Sequence, residues 1–184
     1  HGIKNDMLSG ALGHPVFRDP RYTQVDYLED VETIVSRNSN VTGLQENVAK
    51  LFSDKTPEAG YAFEVRVAAE RAERGNLHGI SVGERKVVLS EGAVPSVRVD
   101  VDVWADSEFI QVKRSWRALK NKGNVKDYLT QCIVAARLSV PRKTCTLIVG
   151  QGLGEAPRSI RQYIDGAISR GLMSFEEIPR GVRP

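Results

Sequence analysis

The chain has 184 residues, 41% hydrophobic and 27% charged, with two cysteines, three histidines and a formal net charge of +3. That length suits one globular domain, or a domain with a small appendage, and buries a core without disulfide or zinc staples. Cys132, Cys145, His1, His14 and His78 exclude thiolate–imidazole zinc chemistry, and no run approaches the roughly 20 apolar residues of a membrane helix.

No signal peptide is visible, and the start at His1-Gly2-Ile3, without an initiator Met, reads as an excised piece of a longer protein or a processed product. Residues 1–22, rich in Gly, Pro and Asp, read as irregular. Apolar spacing predicts helices over about 24–37 (Val25, Leu28, Val31, Ile34, Val35) and 42–53 (Leu44, Val48, Leu51, Phe52). The run from Lys55 to Gly60 breaks the pattern, so residues 1–58 form a helical accessory region and 59–184 the main domain. A helix over 61–74 stops at Gly75-Asn76; strands follow at about 79–89, 96–104 and 108–113. A helix at about 123–138, a buried strand at 144–149 and a helix at 157–170 complete the order. This order describes an α/β fold, a mixed central sheet flanked by helices, with a small helical N-terminal region. Cys132 and Cys145 fall in apolar runs and read as reduced core residues; a disulfide between them is compatible but not required. Gly150-Gln-Gly-Leu-Gly154 lacks phosphate-loop spacing and reads as a strand-to-helix turn.

Charge is unevenly placed. Residues 111–143 carry nine basic groups against Asp127 alone, while 1–60 and 61–110 each carry six basic and nine acidic groups. One segment therefore supplies the positive excess, the footprint of a polyanion site with nucleic acid first; a solvated basic helix is the bland alternative. The chemistry concentrates just before it, in Val97-Arg-Val-Asp-Val-Asp-Val-Trp104 and Phe109-Ile-Gln-Val-Lys113. Pairing Trp104 with Phe109 sets Asp102 against Gln111 and Asp100 against Lys113 on one face, with Val101, Val103, Ile110 and Val112 on the other. On the wheel of the helix over 61–74, Glu64 lies on the apolar arc with Tyr61, Val65 and Ala72. A carboxylate there needs a cation, either a metal shared with Asp102 or an arginine. Trp104, Trp116 and Tyr128 read as packing residues before base-stacking ones.

Taken with the element order, these residues resemble the PD-(D/E)XK (restriction-endonuclease-like) nuclease superfamily over about residues 61–171. The resemblance implies a metal-dependent nuclease. Its helix acid is Glu64, its strand Asp is Asp102, Gln111 takes the position of the variable acid, and Lys113 is the lysine. Glu64, Asp102 and Gln111 would ligate Mg²⁺ or Mn²⁺. Gln111 stands where Glu or Asp is commoner, which lowers the negative charge offered to the metal; Asp100 is the compensating acid. Tyr128 or Gln131 is the auxiliary polar residue from the following helix. Arg114, Arg117, Lys120, Lys122 and Lys126 are expected to hold the backbone of DNA or RNA, tRNA included. The chain also looks like toxin domains at the ends of large bacterial delivery proteins. That implies an acidic immunity or inhibitor protein as partner, and action in the bacterial cytoplasm after delivery from a secreted or surface-displayed precursor. A restriction or phage-defence endonuclease, or a catalytically inactive nucleic-acid-binding module, are the rival readings.

Overall fold

A computed structural model describes residues 3–37, 41–54, 60–80, 84–87, 97–120, 124–139 and 141–178, with the backbone alone for 84–87 and 97–100. Helices α1 (Asn5–Leu12), α2 (Gln24–Arg37), α3 (Leu44–Ser53) and α4 (Tyr61–Glu73) come first. Strands β1 (Leu77–Ile80), β2 (Glu84–Val87), β3 (Val97–Asp100), β4 (Val103–Ala105) and β5 (Glu108–Lys113) follow. Then come α5 (Trp116–Lys120), α6 (Val125–Leu138), β6 (Thr144–Val149), α7 (Arg158–Ser169) and β7 (Met173–Glu177). The expected α/β class is what the chain adopts. Five strands form a mixed sheet in the order β1-β4-β5-β6-β7, antiparallel through β5 and parallel from β5 to β7.

Period-two alternation sorts the strand side chains onto two cores. Val103, Ile110, Val112 and Ile148 join α1–α4 on one face; Phe109, Cys145, Leu147 and Val149 join α6 and α7 on the other. Each such side chain contributes about 1.5–3 kcal/mol by leaving water. Residues on both sides of the candidate boundary share the first core. The break itself, residues 55–59, lies outside the described residues, as do Val82, Val88 and Leu89 of the predicted strand over 79–89. Cys132 and Cys145 are buried free thiols with sulfurs 3.0 Å apart; their mutual hydrogen bond and burial push the Cys145 thiol up. Among the described residues no helix is long and apolar enough to cross a membrane.

Four local expectations need correction. Residues 5–12 are helical rather than irregular, because Gly10 is not a breaker there: a Cβ at that position would overlap the Phe52 ring, so its absence lets α3 lie on the backbone of α1. The predicted strand over 79–89 divides into β1, in the main sheet, and β2, in a separate two-stranded sheet with β3. The strand over 96–104 divides at Val101-Asp102 for the same reason, so Asp100 pairs with Glu84 and not with Lys113. That break also turns Val101 into the α6–α7 core, away from Val103. Finally, α5 and β7 lie outside every predicted element. Trp116 anchors α5 by stacking on Phe175 of β7 (ring centroids 5.7 Å apart) and donating Nε1–H to the Gly152 carbonyl at 2.9 Å, which settles it as a packing residue.

Candidate active site

The site starts from an interruption in a ladder. Between β4 and β5 the pairs Trp104↔Phe109 and Val103↔Ile110 form as the alternation predicts, and there the pairing stops. Asp102 N–H still donates to the Ile110 carbonyl at 3.1 Å, but the next donor, Val112 N–H, meets the Asp102 carboxylate at 2.8 Å. A side chain thus fills a slot that continued strand pairing would give to a carbonyl. This explains why β3 can leave the sheet without orphaning a buried amide.

The same carboxylate oxygen, Oδ2, lies 3.4 Å from Lys113 Nζ. Both groups are nearly buried, Asp102 at 5% exposure and Lys113 at 9%, so each offsets the other's loss of water. The Lys113 ammonium also sits 5.6 Å from the centre of the Tyr128 ring, within cation–π reach. Tyr128 lies on α6 and donates its hydroxyl to Gln111 Oε1. Asp102, Gln111, Lys113 and Tyr128 therefore form one connected group at the C-terminal half of β5. Of the two auxiliary candidates, Tyr128 reaches this group, while Gln131 is exposed on α6.

Glu64 is buried, as the wheel predicted, and accepts a hydrogen bond from Asn47 Nδ2 at 2.9 Å. Asn47 belongs to α3, is fully buried, and its Oδ1 has no hydrogen-bond partner. Arg71 touches Glu108 near one end of α4, and Arg114 lies 6.0 Å from the Phe63 ring near the other, so α4 runs antiparallel to β5. Seven helical residues and three strand residues each span about 10 Å, which sets Glu64 level with Gln111. The two approach from different faces of the sheet, Glu64 from the α4 side and Gln111 from the α6 side.

The donor set is oxygen only: two carboxylates and one amide, the ligand type that hard divalent cations take. Among the described residues no three His, Cys, Asp or Glu side chains gather into a metal cluster. Arg117, Lys120 and Lys126 are exposed on α5 and α6; Lys122 lies outside the described residues. Arg114 is half-buried, its Nη2 at 3.4 Å from Asp19. As expected, residues 150–154 form the turn out of β6, entering a short 3-10 helix at Leu153–Glu155. Sequence reasoning missed Asn47, which sits on an otherwise ordinary amphipathic helix and carries no signal of its own. No family model, curated protein or solved structure matches this chain.

Proposed function

We propose that the protein is a metal-dependent nuclease that hydrolyses phosphodiester bonds of DNA or RNA. The observation that carries this reading is the buried Lys113–Asp102 pair at the carboxyl end of a strand that runs parallel to its neighbour β6. An ammonium held there, its position set by Asp102 and the Tyr128 ring, is a preorganised charge for the developing negative charge on a phosphate. Asp102 and Gln111, grouped with Lys113, are the residues that would hold Mg²⁺ or Mn²⁺; Glu64 lies level with Gln111 but on the α4 face of the sheet. When bound, such an ion polarises a phosphoryl oxygen and acidifies a water. The Asp102 contacts with Val112 N–H and Lys113 fall on Oδ2, so Oδ1 is the oxygen that would be offered to such an ion. Exposed Arg117, Lys120 and Lys126 supply the positive surface along which a phosphate backbone lies.

A second reading, a nucleic-acid-binding module without catalysis, is favoured by one observation: the Gln111 carbonyl oxygen already accepts from Tyr128. Incubation with plasmid DNA and total tRNA, with Mg²⁺, with Mn²⁺ and with EDTA, separates the two. Cutting that EDTA abolishes supports the nuclease; binding without cutting in either metal establishes the module instead. Within the nuclease reading, the basic α5–α6 surface also suits an acidic immunity protein, as a toxin domain delivered into a bacterial cytoplasm would need; a restriction or phage-defence enzyme would share the chemistry without that partner.

A further inference from the structure

Two adjoining cavities lie at the carboxyl edge of the parallel strands, where open α/β sheets bind ligands. One, about 220 Å³, is lined by Arg21, Arg66, Glu155 and Glu177 among others. Its two carboxylates oppose its two guanidiniums, and Arg66 is already committed to Asp30 at 2.8 Å. The other, about 270 Å³, is lined by Arg21, Arg114, Ser115, Ala118 and Gln151, with no carboxylate in its wall. It exists because two turns are pressed together: a Cβ at Gly150 would overlap the Arg114 carbonyl, so only glycine lets the exit of β6 meet the exit of β5.

Its donors are oriented. Arg21 gives Nε–H and one Nη2–H to Asp19, the latter at 2.7 Å, and one Nη1–H to the Gly150 carbonyl at 2.8 Å. Of its five N–H groups, one on each terminal nitrogen remains, a fork suited to two phosphate oxygens. Gln151 Oε1 accepts from Trp116 N–H at 2.9 Å, which leaves its NH₂ group for the cavity. Arg114 directly follows Lys113, with Cα atoms about 3.8 Å apart and side chains directed to opposite faces.

We propose that this cavity is a second phosphate subsite. It takes a backbone phosphate neighbouring the one at Lys113, and Arg21, from the helical N-terminal region, is its main ligand. The identity of the phosphate as part of a nucleic-acid strand rests on the nuclease reading; the anion site itself does not.

The test has two arms. In the first, arginine Nε–H resonances are followed as inorganic phosphate is added. The Arg21 and Arg114 signals should shift saturably, and the Arg114 shift should be lost in Arg21→Ala. In the second, anisotropy of a labelled single-stranded oligonucleotide is measured in EDTA across a salt series. Arg21→Ala should weaken binding about tenfold or more and flatten the slope of log K against log salt by about 0.7. Arg21→Lys should restore the slope but not the full affinity, since it keeps the charge and loses the fork. Arg37→Ala, removing an exposed arginine at the end of α2, should change neither. If Arg21→Ala fails to fold, Arg21→Lys and Ser115→Ala carry the comparison, each with reduced affinity expected. Unchanged affinity and slope in folded Arg21 variants, beside normal wild-type binding, overturns the subsite and leaves the nuclease reading standing. Saturable phosphate shifts with no oligonucleotide binding by the wild type keep the anion site and overturn the nuclease reading.

Discussion

At the amino end of β5, Arg71 is fully buried among Glu108 at 3.0 Å, Glu70 at 3.2 Å and Glu176 at 3.3 Å; at the carboxyl end, Lys113 is nearly buried against Asp102 at 3.4 Å. The first cation is surrounded by more negative charge than it needs. Burial lowers its affinity for a proton, yet the hydrogen bond and charge of Glu108, with Glu176, more than offset this and raise its pKa. None of these groups lines either cavity at the other edge. The second cation belongs to the edge where Lys113 N-terminally abuts Arg114, itself a wall of a cavity. Buried charge alone therefore does not identify a site. The Arg71 cluster lies away from both cavities, whereas Lys113 sits one residue from Arg114, which lines one of them.

The sharpest break of this comparison is Lys113→Ala, which should lower cutting by about 10²-fold or more, with a loss of stability as well because buried Asp102 is left without its counter-charge. Retention of more than about a tenth of the rate, read by plasmid or tRNA digestion, removes Lys113 from the chemistry. Arg71→Ala should do the reverse. It leaves three carboxylates around a vacated buried position and should cost about 3–5 kcal/mol in denaturant unfolding, with the cutting rate per folded molecule unchanged.

Asp102→Ala and Glu64→Ala fall between these. Asp102→Ala should cripple cutting and Glu64→Ala should lower it less, and each should also cost about 1–3 kcal/mol of stability. Asp102 satisfies Val112 N–H, and Glu64 satisfies Asn47, whose other polar atom already lacks a partner. Thermal melts in EDTA check both stability losses.

Gln111→Glu sharpens the comparison from the metal side. A carboxylate still accepts from Tyr128 and adds a negative charge, so a Mn²⁺ titration should show tighter binding. Unchanged or weaker affinity means that Gln111 is not a ligand.

The smallest effect concerns pH. The Arg21 hydrogen bond, against the opposing effect of burial, holds the Asp19 carboxyl below its ordinary value. A depressed carboxyl stabilises the fold above its unfolded pKa of about 3.9, and that contribution fades as pH falls through the lower folded value. Wild type and Asp19→Asn should therefore differ in melting temperature near neutral pH and converge in strong acid. Equal melting temperatures at both pH values would show that the Arg21–Asp19 contact adds nothing.

Local pattern carried much of the fold. Helix α2 spans the residues its apolar spacing predicts, and β5 and β6 coincide with their alternating or continuous apolar runs, because periodicity reports which side of an element leaves water. It likewise put Glu64 on a buried arc and paired Trp104 with Phe109, since both follow from residues near in sequence. Periodicity is blind to where a strand changes sheets. Val97 to Trp104 alternates without interruption, yet the ladder ends between Val101 and Val103, because Asp102 can take the place of a backbone acceptor once β3 pairs with β2. Nor does any local signal join Asn47 to Glu64, or Arg21 to Gly150, 129 positions away. Those contacts depend on which helix packs on which face and which turns meet at one edge. The sequence determined the elements and the residue types able to meet a phosphate; tertiary packing decided which of them stand together, because hydrogen bonds and charge pairs act over a few ångströms of space, whatever the distance along the chain.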